Sequence, residues 1–135
     1  MKTCLLDTNL LVRFITGEPA DMAKRARALI EKNESGALAL RIVPMVVAET
    51  VFVLTGKIYG FDRREVASAL IQFLESPSIE VEKREALIAA LGLFRDHPLD
   101  FVDACLAAQA RLSGDGLASF DADFAKIPGL DLAAL

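Results

Sequence analysis

Two acidic residues of this chain each follow a short apolar segment that predicts a buried strand. Asp7 comes directly after residues 3–6, and Asp121 comes directly after residues 117–120. Ligands of open α/β sheets bind beyond the carboxyl ends of the strands, so both carboxylates are predicted to lie at one edge of the sheet. Either acid could instead be an ordinary turn residue at the end of its strand.

Two further acids lie on predicted helices. Glu49 is the only acidic residue between Ile42 and Leu54. A carboxylate in such an apolar stretch is costly unless a partner compensates it or it faces solvent at the rim of the helix. Asp103 occupies the first turn of a helix that begins after Asp100, where an acid also offsets the helix dipole. Taken together, the four positions predict a carboxylate cluster.

Such a cluster predicts a site for a hard divalent cation. Close carboxylates raise each other's pKa, and a bound ion removes that repulsion. Mg²⁺ and Mn²⁺ favour carboxylate ligands, and the ion would give an acidic protein a positive charge for a phosphate. The chain has one histidine, His97, and two cysteines far apart, Cys4 and Cys105, so no zinc-ligand spacing occurs. We therefore expect metal- and carboxylate-based chemistry, without histidine acid–base catalysis.

Alternating strands and helices are predicted to position these acids. Strands are predicted at 3–6, 37–43, 78–81 and 117–120, and helices at 10–15, 20–33, 45–58, 62–75, 83–94 and 100–112. Asp62 with Glu65 predicts a capping box at the start of the fourth helix. This order predicts an α/β fold with a mostly parallel central sheet and right-handed crossovers, in a single domain over residues 1–135.

Composition narrows the classes of function. The chain has 15 basic and 19 acidic residues and a net charge of −4, whereas a protein that coats duplex nucleic acid would be basic. Any contact with nucleic acid is therefore expected to be local or metal-mediated. No apolar run reaches the roughly 18 residues of a membrane span, and Asp7 interrupts any signal-peptide core. We predict a cytoplasmic protein without membrane contact, with free thiols favoured over a disulfide between Cys4 and Cys105.

The local sequences around the four acids resemble those of a known family. They are Asp7-Thr8-Asn9, Val46-Val47-Ala48-Glu49-Thr50-Val51, Asp100-Phe101-Val102-Asp103-Ala104 and Ser119-Phe120-Asp121-Ala122-Asp123-Phe124. In this order and spacing they resemble the PIN domain, and more specifically the VapC-type toxins of toxin–antitoxin pairs. The resemblance covers essentially the whole chain and implies a PIN-like three-layer sandwich, with the central sheet flanked by helices.

The resemblance implies a Mg²⁺- or Mn²⁺-dependent endoribonuclease that cuts single-stranded regions of RNA. It also implies a homodimer, to which the 53% apolar content adds a weak indication, and inhibition by a cognate antitoxin protein. The family's metal-site acids correspond to Asp7, Glu49, Asp103 and Asp121. Asn9 and Ser119 correspond to polar supports, although the family often has threonine at the latter position. Asp100 and Asp123 are secondary candidates, of which Asp100 ranks higher because one helical turn separates it from Asp103.

Several alternatives stay open at this point. Arg13 and the basic group at residues 24–27 could guide RNA or form a solvated helix face. A phosphatase with an aspartyl nucleophile would need a second aspartate two residues after Asp7, where this chain has Asn9. A PIN-fold RNA-processing nuclease without an antitoxin, or a non-catalytic module that binds metal or RNA, would share most of the same residues.

Overall fold

The computed structural model describes residues 2–135, in which helices predominate. The strands are β1 (Thr3–Leu5), β2 (Ala39–Ile42) and β3 (Glu80–Val81). The helices are α1 (Thr8–Thr16), α2 (Ala20–Glu34), α3 (Pro44–Thr55), α4 (Arg63–Leu74), α5 (Arg84–Asp96) and α6 (Phe101–Ser113), followed by a short 3₁₀ helix at Ala122–Lys126. Each predicted helix is present, with ends that differ from the prediction by a few residues.

The three strands form a parallel sheet in the order β1-β2-β3. Leu5 lies opposite Arg41, and Arg41 lies opposite Glu80 on the next strand. The Arg41 guanidinium forms an ion pair with Glu80, with Nη2 and Oε2 3.0 Å apart. The prediction of an α/β fold with a parallel central sheet flanked by helices is therefore confirmed.

The predicted strand at residues 117–120 is wrong. Leu117 makes only an isolated parallel bridge to Leu132. Its backbone N–H donates to the Asp131 carbonyl over 2.8 Å, and its own carbonyl accepts from Ala133 N over 2.9 Å. The side chain of Phe120 is 95% exposed. The segment pairs its backbone with the last residues of the chain, so its apolar composition does not produce a sheet strand.

Helix ends follow local backbone rules in most places. Gly17 and Gly114 end α1 and α6 with φ of 72° and 74°, a left-handed conformation that glycine adopts without steric cost. Pro44 begins α3, where its missing N–H costs nothing. Asp62 lies at the N-cap position of α4, but its side chain makes no capping hydrogen bond, so the predicted capping box does not form.

The core lies between the sheet and the helices, and one buried amide helps to fix the strands. Asn33, at the end of α2, donates from Nδ2 to the Ser78 carbonyl over 2.9 Å and accepts from Leu40 N over 2.8 Å. Its buried side chain therefore joins α2 to β2 and to the segment before β3. Within residues 2–135 no helix combines the length and apolar character required to cross a membrane.

Candidate active site

The N-terminus of α6 carries two of the predicted acids. Asp100 is the N-cap residue, and its carbonyl accepts the first helical hydrogen bond from Ala104 N over 2.9 Å. The Asp100 side chain is exposed and makes no capping hydrogen bond, so its carboxylate oxygens are free for another partner. Asp103 lies in the first helical turn and is half-buried. The start of α6 thus presents two carboxylates one turn apart.

A second pair of acids lies at the 3₁₀ helix. Asp121 is its N-cap residue, and its Oδ1 accepts from Asp123 N over 2.9 Å. The Ser119 hydroxyl oxygen accepts from Asp121 N over 3.0 Å, so Ser119 supports the turn that presents Asp121. Asp123 also pairs with Lys126, whose Nζ lies 3.5 Å from Oδ1. The capping turn, and not a strand end, therefore orients Asp121.

The two pairs of acids lie close enough to interact. Burial raises the pKa of the Asp103 carboxyl above its usual value. Three neighbouring carboxylates raise this pKa further, in the order Asp100, Asp121 and Asp123. Like charges disfavour ionisation, so Asp103 holds its proton more tightly both because it is partly buried and because these carboxylates lie near it. The fold therefore brings together four acids that lie up to 23 residues apart in sequence.

Asp7 follows β1 and begins α1. It is the N-cap residue, and its Oδ2 accepts from Asn9 N over 3.3 Å. Asp7 and Asn9 are exposed, whereas Thr8 between them is buried, and its hydroxyl has no hydrogen-bond partner in the described residues. The carboxylate of Asp7 is therefore accessible at the carboxyl end of β1, where the sequence predicted it.

Glu49 lies on the outer face of α3 and is exposed. Met45 and Phe52, one helical turn before and after it, are 79% and 77% exposed. The carboxylate is therefore not desolvated, and it does not require the compensating partner that a buried carboxylate would need. Exposure leaves the Glu49 carboxylate available to an ion, so its predicted role as a metal ligand stays a prediction.

The donor set fits a hard divalent cation in its chemistry. The converging groups are carboxylates with oxygen donors, which Mg²⁺ and Mn²⁺ prefer. The carboxylates near Asp103, which add to the effect of burial on its pKa, are charges that such an ion would neutralise. In the part of the chain that the structure describes, no three acidic, histidine or cysteine side chains stand as a ready-formed metal-binding group. The acids are thus neighbours rather than preassembled ligands.

The basic residues singled out in the sequence and the histidine lie on α1, on α2 and at the end of α5. Arg13 donates from Nη1 to the Tyr59 hydroxyl over 3.1 Å, a contact that no sequence pattern predicts. The predicted basic group on α2 is exposed at each member, and Arg25 also lines a groove between α1 and α2. His97 is the C-cap residue of α5.

The two cysteines are free thiols. Cys4 and Cys105 are both half-buried and form no disulfide. Burial raises the pKa of the Cys105 thiol to about 11, so this sulfur stays protonated at neutral pH. Neither the sequence nor the structure gives these residues a part in the site.

The fold and the acidic group define a class of protein, namely an α/β domain with carboxylates clustered around helix starts beyond a parallel sheet. The profile of the PIN domain family matches residues 4–130, nearly the whole chain. The chain therefore belongs to the PIN domain family. PIN domains are generally nucleases that use divalent metals, which places this protein among the hydrolases of nucleic acids. No curated protein gives a significant match to the sequence.

Proposed function

We propose that the protein is a Mg²⁺- or Mn²⁺-dependent endoribonuclease and the toxin of a type II toxin–antitoxin pair. The observation that carries the proposal is that acids from two separate elements, α6 and the 3₁₀ helix, lie close enough to act on one another in a PIN-family chain. The proposed ligands are Asp7, Glu49, Asp103 and Asp121, with Asp100 as an additional ligand. Asn9, Ser119 and Asp123 would support them. Cytoplasmic RNA is the proposed substrate, and the free thiols agree with a reducing compartment.

The chain's own contribution to such a reaction is to hold carboxylates where a phosphodiester can approach. A divalent cation bound there supplies Lewis-acid stabilisation of the negative charge on the phosphate. Asp7 and Asp121 each lie in a capping turn, and Asp103 lies in the first turn of α6. The carboxylate oxygens are therefore attached to backbone whose conformation is fixed by local hydrogen bonds. Exposed Asp100 could accept a proton or orient water at the rim of the site.

Cleavage assays test the proposal directly. Purified protein is incubated with a structured RNA, an unstructured RNA and a single-stranded DNA of equal length, each in Mg²⁺, Mn²⁺ or EDTA. We expect cuts within single-stranded RNA regions in either metal, with none in EDTA. RNA cleavage that persists in EDTA would contradict the metal mechanism. An inert protein that still binds Mn²⁺ would point instead to the non-catalytic alternative.

A homodimer is the proposed assembly, and an apolar surface supports it. This surface, called here the α3–α6 face, consists of Phe52, Val102 and Leu106, all exposed. Helices α3 and α6 contact each other, and Phe52 and Val102 line the same cavity of about 700 Å³. Exposed apolar side chains that adjoin in this way are typical of a protein interface. We infer that a second copy of the chain covers the α3–α6 face.

Phe52→Asp should weaken this dimer. Wild type is expected to sediment near twice 14.6 kDa at micromolar concentration. A charge in the centre of an apolar interface costs about 2 kcal/mol or more, so the dissociation constant should rise by roughly 30-fold or more. Phe120→Asp is the control, because Phe120 is also an exposed phenylalanine but belongs to neither α3 nor α6. A monomeric wild type, or an unchanged dimer in Phe52→Asp, would exclude this interface.

The antitoxin is the second proposed partner. The groove between α1 and α2 has a volume of about 420 Å³ and is lined mainly by apolar side chains, with Arg13 and Arg25 at its margin. An apolar segment with acidic flanking residues would complement it. The groove also includes Asn9, whose backbone N–H donates to Asp7, so a segment bound there would end close to the Asp7 carboxylate. An arginine of that segment could pair with the carboxylates and block the site.

A further inference from the structure

One arginine outside the acidic group holds the chain segment that leads into α6. Arg63 is the first residue of α4, and its guanidinium extends to the end of α5. Its Nε donates to the Phe94 carbonyl over 2.9 Å, and its Nη2 donates to the His97 carbonyl over 3.1 Å and to the Leu99 carbonyl. The guanidinium carbon also lies 4.0 Å from the centroid of the Phe94 ring. A single side chain thus binds three carbonyls over six residues.

The carbonyls of His97 and Leu99 belong to the connection between α5 and α6, and the Phe94 carbonyl belongs to the last turn of α5. The connection has few other hydrogen bonds: His97 N donates to Leu93 O, and Leu99 N donates to His97 O, each over 2.9 Å. Both of these bonds are local, so they do not tie the connection to another element. Arg63 supplies that tie, because it comes from α4. Its last carbonyl partner, Leu99, immediately precedes Asp100.

We propose that Arg63 is a positioning residue for the acidic site: by binding the carbonyls of Phe94, His97 and Leu99 it fixes where α6 begins. The direction of α6 then places Asp100 and Asp103 relative to the acids of the 3₁₀ helix. The effect on metal ions rests on the proposed function, whereas the effect on the α6 N-terminus does not. No sequence pattern marks this residue, because its partners are backbone carbonyls 31 to 36 positions away.

The chemistry of the contact requires arginine. A guanidinium presents several N–H donors in a rigid planar fork and stacks on an aromatic ring, which an ammonium group does not do. Lysine at this position would reach one carbonyl at a time and would leave the others to water. The proposal therefore predicts that Arg63→Lys only partly rescues the site relative to Arg63→Met.

Arg84 offers a matched control. It donates from Nη1 to the Ser76 carbonyl over 3.0 Å and from Nη2 to the Ile79 carbonyl. Like Arg63, it lies at the start of a helix and holds a loop that follows a helix. The loop it holds leads to β3, at the outer side of the sheet, and not to α6. Arg84→Met therefore removes the same kind of contact from a loop that is distant in sequence from the acids of α6 and of the 3₁₀ helix.

The test compares Arg63→Met, Arg63→Lys and Arg84→Met with wild type. Urea unfolding first establishes that each variant is folded, and the temperature is lowered where one is marginal. Amide hydrogen exchange is then measured without metal at Ala104, whose N–H binds the Asp100 carbonyl. Exchange there should be at least about 10-fold faster in Arg63→Met than in Arg84→Met, with Arg63→Lys between them. Equal exchange in the two Met variants would overturn the positioning role.

Mn²⁺ binding provides the second measurement, with Mn²⁺ alone as the probe. Loss of a supporting group around metal ligands typically costs 10- to 100-fold in affinity, and we expect that range for Arg63→Met. Arg84→Met should change the affinity less than about 2-fold. Wild type that binds no Mn²⁺ would refute the proposed metal site while the exchange data still decide the role of Arg63. Wild-type affinity in folded Arg63→Met would overturn the inference alone.

Discussion

Asp103→Asn is expected to slow metal-dependent RNA cleavage by about 100-fold or more, with little loss of folding stability. Removal of a group that only supports metal ligands already costs 10- to 100-fold, so loss of a ligand should cost at least the upper end of that range. Asparagine is nearly isosteric with aspartate, and it removes the charge on which burial and the neighbouring acids act. The measurement is a single-turnover cleavage rate in saturating Mg²⁺.

Two companion variants make this result specific. Asp7→Asn should produce a loss of the same order, because asparagine retains the N-cap of α1 but removes the carboxylate charge. Asp96→Asn is the matched control, since Asp96 is an exposed acid that pairs with Arg95 at the end of α5. Its cleavage rate should stay within about 2-fold of wild type. Full activity of Asp103→Asn would exclude Asp103 as a metal ligand of the proposed site.

The second large effect concerns stability without metal. The folded-state pKa of Asp103 is raised, first by burial and then by neighbouring carboxylates, so the folded protein holds this proton more tightly than the unfolded chain. The corresponding stabilisation is fully present below the unfolded pKa of about 3.9 and is lost as pH rises through the folded pKa. Metal-free wild type should therefore lose stability relative to Asp103→Asn as pH rises above about 4.

Urea unfolding in EDTA at pH 4 and pH 7 measures this difference, and the comparison with Asp103→Asn cancels the other titrating carboxylates. Mg²⁺ at ten times its dissociation constant should then add about 1.4 kcal/mol to wild type. Asp103→Asn should gain much less at the same concentration. If the stability of wild type and of the variant responds equally to pH and to Mg²⁺, the folded-state pKa of Asp103 is not raised and Asp103 does not bind the ion.

Periodicity was sufficient to predict most of the fold. Short apolar runs and amphipathic helices are local properties, and they gave the positions of β1, β2, β3 and all six helices. The run at residues 117–120 has the same composition but no sheet partner, because the backbone of Leu117 pairs with residues 131–133. Pairing of this kind depends on where the end of the chain lies in space, which local sequence does not record.

Two of the predicted site residues lie in surroundings that differ from those expected from the sequence. Asp121 was expected at the end of a strand, and it instead caps a 3₁₀ helix with support from Ser119. Glu49 was singled out because its surroundings are apolar in sequence, but that helix face is exposed, with Met45 and Phe52 beside the carboxylate. An apolar helix implies a buried face only where another element covers it, and the Glu49 side of α3 is open to solvent.

The origin of the acids from distant parts of the chain has a consequence for synthesis on the ribosome. Under the proposed assignment the ligands include Asp7 and Asp121, which are separated by 114 positions, the difference of their numbers. At about 5–20 residues per second, the second is made roughly 6 to 23 s after the first. A nascent chain that ends before Asp121 lacks one of the proposed ligands and cannot complete the site. If the proposed function holds, RNA cleavage by the chain, including cleavage of the message that encodes it, would begin only after most of its translation.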